Sequence, residues 1–212
     1  MTPLFYCALC AVAVAGLLAA ERRENMALRM VFKPAASLFF VLAAIAAGAS
    51  QSPMGLAILT GLGLSALGDL LLIGRDGRLF LAGMAAFGFA HLAYAGAFAI
   101  GGLAPGWPAL AAGGATLGAG ACFLAPLRKG MGAMAGPVVV YAVIIAAMVA
   151  LSVAHHEAAG NDQSARLAAG AAAFAASDLA VARDRFGVPD FRNRLWGLPL
   201  YYAAQCLIAT AV

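Results

Sequence analysis

The hydrophobic residues of this chain lie in long runs that short polar segments separate. Charges, prolines and glycine-rich turns divide the sequence into eight apolar stretches. A helix that crosses the hydrocarbon core of a bilayer needs about 20 apolar residues, and each stretch is close to that length. The pattern predicts eight transmembrane helices, at approximately 3–20, 32–49, 53–74, 79–101, 107–126, 132–154, 164–182 and 195–211.

The connections between these stretches are short throughout, so we expect a single transmembrane domain over residues 1–212. Its fold class is an all-α integral membrane protein, a bundle of eight transmembrane helices. A weak internal similarity bears on its organisation: Asp69-Leu70 and Asp178-Leu179 each precede an Arg-Asp segment, 109 residues apart. A 4+4 parallel repeat would produce this spacing, and so would chance in a sequence of such biased composition.

The composition changes the picture by excluding most functional classes. Apolar residues make up 64% of the chain and charged residues 10%, against about 45–50% and about 25% in soluble domains. This excess excludes a cytosolic enzyme, a secreted disulfide scaffold and a disordered regulator. The net charge of +4 does not indicate nucleic-acid binding, because the basic residues are divided among short loops. The first partner is therefore the lipid bilayer.

The basic residues orient the predicted bundle. Twelve of the thirteen lie in odd-numbered loops, and the exception is Arg166. By the positive-inside rule the odd loops face the cytoplasm. We therefore expect a multi-pass protein of the cell inner (cytoplasmic) membrane with both termini outside the cytoplasm. The basic residues are Arg22, Arg23, Arg29 and Lys33 in the first loop, Arg75 and Arg78 in the third, Arg128 and Lys129 in the fifth, and Arg183, Arg185, Arg192 and Arg194 in the seventh.

Small residues occur at the spacing that lets transmembrane helices approach closely. Gly114/Gly118 and Gly132/Gly136 both have the GxxxG spacing. In lipid, such positions are a main source of helix association. They indicate tight packing within a monomer or, as the alternative, the seam of a homodimer.

Two aspartates lie inside predicted spans, where a charged side chain is costly and is by default a functional hypothesis. Asp69 precedes Arg75 by six residues, and Asp178 precedes Arg183 by five. At 1.5 Å per residue both lie roughly 8–9 Å from the cytoplasmic charges. Because the two helices run the same way, we expect the carboxylates to share one depth and one cavity. The alternative is that each pairs with an arginine and only ties helices together.

Other polar residues collect on the same side of the bundle and are candidate substrate-binding groups. An interhelical hydrogen bond is the alternative role for each hydroxyl or amide. His91 is the only histidine inside a predicted span, so we expect no metal site, and we interpret His155-His156-Glu157 as a solvated outer loop. The candidates are Lys33, Ser65, His91, Tyr94, Tyr141, Ser177, Arg185, Tyr201, Tyr202 and Gln205.

At these residues the sequence resembles the YhhN family of eight-span membrane proteins, which includes the animal TMEM86 lysoplasmalogenases. The matching elements run in order through most of the chain. They are Lys33-Pro34, Ser65-x-x-Gly68-Asp69, Phe80-x-x-Gly83-x-x-x-Phe87-x-x-x-His91-x-x-Tyr94, Gly170-Ala171, Phe174, Ser177-Asp178, Arg185-Phe186 and Tyr201-Tyr202-x-Ala204-Gln205.

The resemblance implies hydrolysis of the vinyl ether bond of 1-alkenyl lysophospholipids, which gives a fatty aldehyde and a glycerophospho-alcohol. Such a reaction needs a carboxylic acid to protonate the β-carbon and an ionised carboxylate to stabilise the oxocarbenium ion. Asp69 and Asp178 would be the catalytic residues, in an order that the sequence leaves open. Lys33 and Arg185 would hold the phosphate of the lysophospholipid substrate, and no cofactor is expected.

Two other functions fit the same residues. A proton-coupled transporter of small molecules or lipids would also use buried carboxylates and a repeated bundle. It would need a second polar vestibule on the outer side, and the second and fourth loops carry no charge to line one. A structural protein would use both aspartates only to join helices.

Overall fold

The computed structural model describes residues 1–74 and 76–212, and this part of the chain contains helices and no strand. Eight helices have 18 or more residues, and one is a short turn. Their bounds are α1 Pro3–Arg22, α2 Met26–Ala47, α3 Pro53–Leu71, α4 Gly77–Ile100, α5 Trp107–Leu124, α6 Arg128–Met131, α7 Ala135–Ala159, α8 Asp162–Phe186 and α9 Phe191–Ala209. Three single 3₁₀ turns lie at Ala49–Gln51, Ala125–Leu127 and Gly132–Met134.

Six helical segments in the described residues are long and apolar enough to cross a membrane. They are Pro3–Arg22, Met26–Ala47, Pro53–Leu71, Gly77–Ile100, Trp107–Ala159 and Asp162–Phe186. The fifth has 53 residues and contains both α5 and α7. The all-helical fold and the multi-pass character are confirmed. The count of eight spans and the 4+4 repeat stay predictions, since α9 is not among the six segments and α5 and α7 lie within one of them.

Local sequence signals fix where the helices that build the site begin. The Ser52 hydroxyl accepts from the backbone N–H of Gly55 at the start of α3, at 2.9 Å. The Asp76 carboxylate accepts from Leu79 N–H at the start of α4, also at 2.9 Å. Capping of this kind pairs N–H groups that have no partner inside the helix. The caps fix the starts of α3 and α4, and α2, α3 and α4 pack against one another in chain order.

The long helices pack in a closed circuit. The contacts run from α1 to α2, α3 and α4, then to α7, α8 and α9, and α9 returns to α1. The last helix also packs against α2 and α3, and α5 lies outside the circuit against α7 and α8. This arrangement places the end of the chain beside the N-terminal helices. Residues of α2, α3 and α9 therefore meet in one place.

Glycines allow the closest of these contacts, but not the glycines that the spacing predicted. On α3, a Cβ at Gly61 or Gly68 would collide with the rings of Tyr94 and Phe87 of α4. By contrast, Gly114, Gly118 and Gly136 face open space. The prediction that the GxxxG positions pack tightly within the monomer is wrong at these residues, because α5 lies at the outside of the bundle and Gly136 is on an exposed face at the start of α7.

Two assignments of polar residues to loops are corrected. The first loop is shorter than predicted, because Asn25 caps α2 and the helix starts at Met26; Arg29 and Lys33 are therefore buried helical residues. His155 and His156 lie in the last turns of α7 and not in a solvated loop, since the helix continues to Ala159. His155 is buried and stacks on Phe98. Arg75 lies outside the described residues.

Candidate functional site

A cavity of about 630 Å³ lies inside the bundle, and both intramembrane aspartates line it. Its walls are mostly apolar and come from every long helix: α1, α2, α3, α4, α5, α7, α8 and α9. The lining extends from the middle of the bundle to the helix ends that the odd-numbered loops join. A concave, mostly apolar volume of this size with a few polar groups is typical of a small-molecule or lipid site.

Asp69, on α3, is buried in a ring of donors from two other helices. Its Oδ1 lies 3.5 Å from Nζ of Lys33 on α2. Its Oδ2 accepts from the hydroxyls of Ser37 at 2.7 Å, Tyr201 at 2.8 Å and Tyr202 at 3.4 Å. Hydrogen bonds and a cation directed at a carboxylate favour its ionised form. The partner of Asp69 is thus a lysine, and not the arginine of the structural alternative.

Asp178, on α8, has a different environment. Its Oδ2 accepts from the Tyr141 hydroxyl at 3.0 Å and lies 3.3 Å from Nε2 of His91. Nε2 is also 3.1 Å from the Tyr141 hydroxyl, so the three groups form a triangle. The other ring nitrogen of His91 faces the sulfur of Met148 at 3.3 Å. The Asp178 side chain is 15% exposed, against 3% for Asp69, and so has the better access to the cavity.

A cluster of aromatic rings joins the two carboxylate sites. The ring of Phe174 lies 4.4 Å from that of His91 and 5.2 Å from that of Tyr201. Phe87 packs on Phe174 and on Tyr201 from the α4 side. Tyr201 donates a hydrogen bond to Asp69, and His91 contacts Asp178. A shift of these packed rings would therefore displace contacts of both carboxylates.

Charged residues stand where the cavity reaches the odd-numbered loops. Oε2 of Glu21 receives Nη2 of Arg29 at 3.1 Å and Nη1 of Arg194 at 2.7 Å. Arg194 also reaches Asp184 at 3.0 Å. All four residues line the cavity. In the sequence analysis Arg29 and Arg194 served only to predict the orientation of the bundle. The i, i+4 spacing of Arg29 and Lys33 puts both side chains on one helix face and was the available signal for a role inside the bundle.

Five of the predicted substrate-binding residues line the cavity: Lys33, Tyr141, Ser177, Arg185 and Tyr201. Lys33 does so while paired with Asp69. The guanidinium of Arg185 lies 4.4 Å from the centre of the Phe80 ring, in a cation–π contact. The structure thus brings these side chains to the two catalytic candidates.

The other five predicted binding residues, Tyr94 and Gln205 among them, do not line the cavity. The Tyr94 hydroxyl donates to Oε1 of Gln205 at 2.8 Å and lies 3.5 Å from Oγ of Ser65. All three are fully buried and form a separate polar cluster between α3, α4 and α9. His91 and Tyr202 also lie behind the cavity wall, where each contacts one of the two aspartates.

Across residues 1–74 and 76–212, no group of three or more His, Cys, Asp or Glu side chains is arranged to hold a metal ion.

Ser37 is the contact of Asp69 that sequence reasoning missed. It lies one helical turn after Lys33 on the buried face of α2, and that spacing was the available signal.

Comparison with known proteins places the chain in a family. The bovine protein named lysoplasmalogenase TMEM86A is 35% identical over 162 residues, and the human protein of the same name is 34% identical over 162 residues. Each alignment covers 74% of this chain and 65% of the relative, so the match spans somewhat less than two thirds of those proteins. No solved structure matches. The YhhN family model matches residues 28–212, and the chain belongs to the YhhN family.

Proposed function

We propose that this protein hydrolyses the vinyl ether bond of 1-alkenyl lysophospholipids, with Asp178 and Asp69 as its catalytic residues. The observation that carries the proposal is the single apolar cavity lined by both carboxylates. The similarity to proteins named lysoplasmalogenase supports the choice of substrate. The products are a fatty aldehyde and the glycerophospho-alcohol.

Asp178 is the general acid in this proposal. Sulfur is a weak acceptor, so the contact with Met148 favours the His91 tautomer that carries its proton on Nδ1. Nε2 is then an acceptor that faces Oδ2 of Asp178, and the same oxygen accepts from the Tyr141 hydroxyl. These contacts hold the carboxyl group at the edge of the cavity, where in its protonated form it can reach a substrate.

Two proton transfers by Asp178 convert the vinyl ether to a hemiacetal. Asp178 gives its proton to the β-carbon of the vinyl ether, and the double bond becomes an oxocarbenium ion. Asp178, now a carboxylate, takes a proton from the water that attacks the cationic carbon. The resulting hemiacetal collapses: its hydroxyl proton passes to the glycerol oxygen, the bond from the hemiacetal carbon to that oxygen breaks, and the aldehyde and the glycerophospho-alcohol leave. A carboxyl group that acts first as acid and then as base is familiar from glycoside hydrolysis.

Asp69 supplies the fixed negative charge. In the proposal Asp69 is ionised: Lys33 and the hydroxyls of Ser37, Tyr201 and Tyr202 are directed at its carboxylate, and its charge stabilises the oxocarbenium ion in a site of low dielectric. Tyr201 donates a hydrogen bond to Asp69, and both residues line the cavity. The Tyr201 hydroxyl therefore lies between part of the Asp69 carboxylate and the helix α9 wall of the site.

The test is aldehyde release by the purified protein in maltoside micelles with lysoplasmenyl-ethanolamine. We expect stoichiometric fatty aldehyde and glycerophosphoethanolamine, and no product from the matched 1-alkyl lipid, whose saturated ether has no double bond to protonate. Equal turnover of both lipids, or of neither, would refute the proposed function.

A further inference from the structure

The geometry points to Arg29 as the residue that binds the substrate phosphate, an inference that rests on the proposed function. Arg29 lines the cavity and is only 8% exposed. Its Nη2 pairs with Glu21 at 3.1 Å. Its Nε is buried and has no hydrogen-bond partner among the residues that the structure describes.

An unpartnered N–H on a buried guanidinium is costly and calls for an anionic acceptor. Nε and the adjacent terminal nitrogen form one edge of the guanidinium, and this edge matches two oxygens of a phosphate. Glu21 contacts only Nη2 of Arg29, through the Oε2 atom that also receives Arg194 at 2.7 Å, and leaves Nε without an acceptor.

Lys33, which the sequence favoured as the phosphate ligand, is already engaged. Its Nζ pairs with Asp69 at 3.5 Å. A phosphate that displaced this contact would leave Asp69 buried without its cation, at a considerable cost. Arg29 pairs with Glu21 and with neither catalytic aspartate.

The position of Arg29 also suits the length of the substrate. Arg29 lies one helical turn before Lys33 on α2, which is about 6 Å closer to the odd-numbered loops. In a lysophospholipid the glycerol carbons separate the phosphate from the ether oxygen by a similar distance. A phosphate on Arg29 therefore puts the vinyl ether at the level of Lys33 and its partner Asp69, with the alkenyl chain among the apolar walls of the cavity.

The experiment compares Arg29→Lys with the wild-type protein on two substrates in phospholipid-free maltoside micelles. One is lysoplasmenyl-ethanolamine, and the other is 1-alkenylglycerol, which has the same vinyl ether and no phosphate. Lysine keeps the pairing charge for Glu21 but lacks the Nε edge. Loss of a charge-assisted hydrogen bond is worth about 10- to 100-fold in affinity, so KM should rise by that factor for the phospholipid alone. Arg166→Lys, at an exposed arginine at the start of α8, is the matched control.

Equal effects of Arg29→Lys on both substrates, or none on the phospholipid, would overturn the inference. The wild-type protein provides a second test that no folding defect can affect. Its kcat/KM should be at least tenfold higher for the phospholipid than for alkenylglycerol, and equal values would also overturn the inference.

A binding measurement separates this inference from the proposed function. The 1-alkyl lysophosphoethanolamine is not hydrolysed, and it should bind the wild-type protein about 10- to 100-fold more tightly than Arg29→Lys. Arg29-dependent binding by a protein that releases no aldehyde would refute the hydrolase and keep the phosphate site. Inorganic phosphate that competes at the same concentration as the lipid would show a site for free phosphate and refute the assignment to a lipid.

Discussion

His91 Nε2 lies 3.3 Å from Asp178 Oδ2, so a fully buried imidazole on α4 contacts the carboxyl group on α8 that faces the cavity. The two residues are 87 positions apart in the chain. Tyr141 of α7 completes the contact. Three helices thus fix the orientation of Asp178, whereas α2, α3 and α9 fix that of Asp69. The two aspartates have distinct partners, which suits distinct roles.

Asp178→Asn should leave a folded protein with little activity. Asparagine has nearly the same shape and no proton to give, and general acid–base catalysis is typically worth about 10²–10⁴-fold in rate. We expect kcat for aldehyde release to fall by at least that range, with an unchanged gel-filtration profile. Asp162→Asn, at an exposed carboxylate on the same helix, is the control. Near-wild-type activity of Asp178→Asn would make Asp178 a structural residue.

Asp69→Asn should lower both activity and stability. The substitution leaves Lys33 buried without its counterion, and breaking a buried ion pair costs roughly 3–5 kcal/mol. Thermal unfolding in detergent should show the destabilisation. The double variant Lys33→Met/Asp69→Asn should recover much of the lost stability but none of the activity. Recovery of activity together with stability would mean that Asp69 only joins helices.

The losses from Asp69→Asn and Asp178→Asn should be strongly non-additive. Groups that serve one transition state act as a unit, so removing the second costs much less than removing the first. The measurement is kcat for the two single variants and the double variant. A double variant whose loss equals the product of the single losses would contradict a shared site.

Tyr141→Phe and Tyr94→Phe should differ, although both remove a buried hydroxyl. Tyr141 donates to Asp178, so its loss should lower kcat about tenfold, the worth of one such bond, with KM nearly unchanged. Tyr94 donates to Gln205 away from the cavity, so its loss should lower the free energy of unfolding by about 1 kcal/mol and spare kcat. The reverse pattern would show that the wrong tyrosine was assigned to the site.

The orientation of the protein is a further prediction. Twelve of the thirteen basic residues lie on the side of the bundle where the odd-numbered loops are predicted. The C-terminus should therefore face away from the cytoplasm. A C-terminal reporter that is active only in the cytoplasm should stay silent, and a fusion after Lys129 should be active. Strong cytoplasmic activity of the C-terminal fusion would show that the predicted orientation is reversed.

The helices were predictable, because apolar length is a local property of the sequence, and the common depth of the two aspartates stays a prediction. The partners of the aspartates were not predictable. Ser37 contacts Asp69 only because α2, α3 and α9 meet, and the exclusion of Tyr94 from the cavity depends on the closure of the helix circuit. Loop charges were misjudged for a similar reason: Asn25 starts α2 early and draws Arg29 and Lys33 into the bundle.

The most direct test of the account is the reaction of the wild-type protein with lysoplasmenyl-ethanolamine in D₂O. Asp178 exchanges its proton with solvent, so the aldehyde should carry a single deuterium on the carbon next to the carbonyl when it is trapped and analysed by mass spectrometry. The same product in ordinary water should carry none. Aldehyde without the label, or no aldehyde from well-folded protein, would contradict protonation of the vinyl ether at this site.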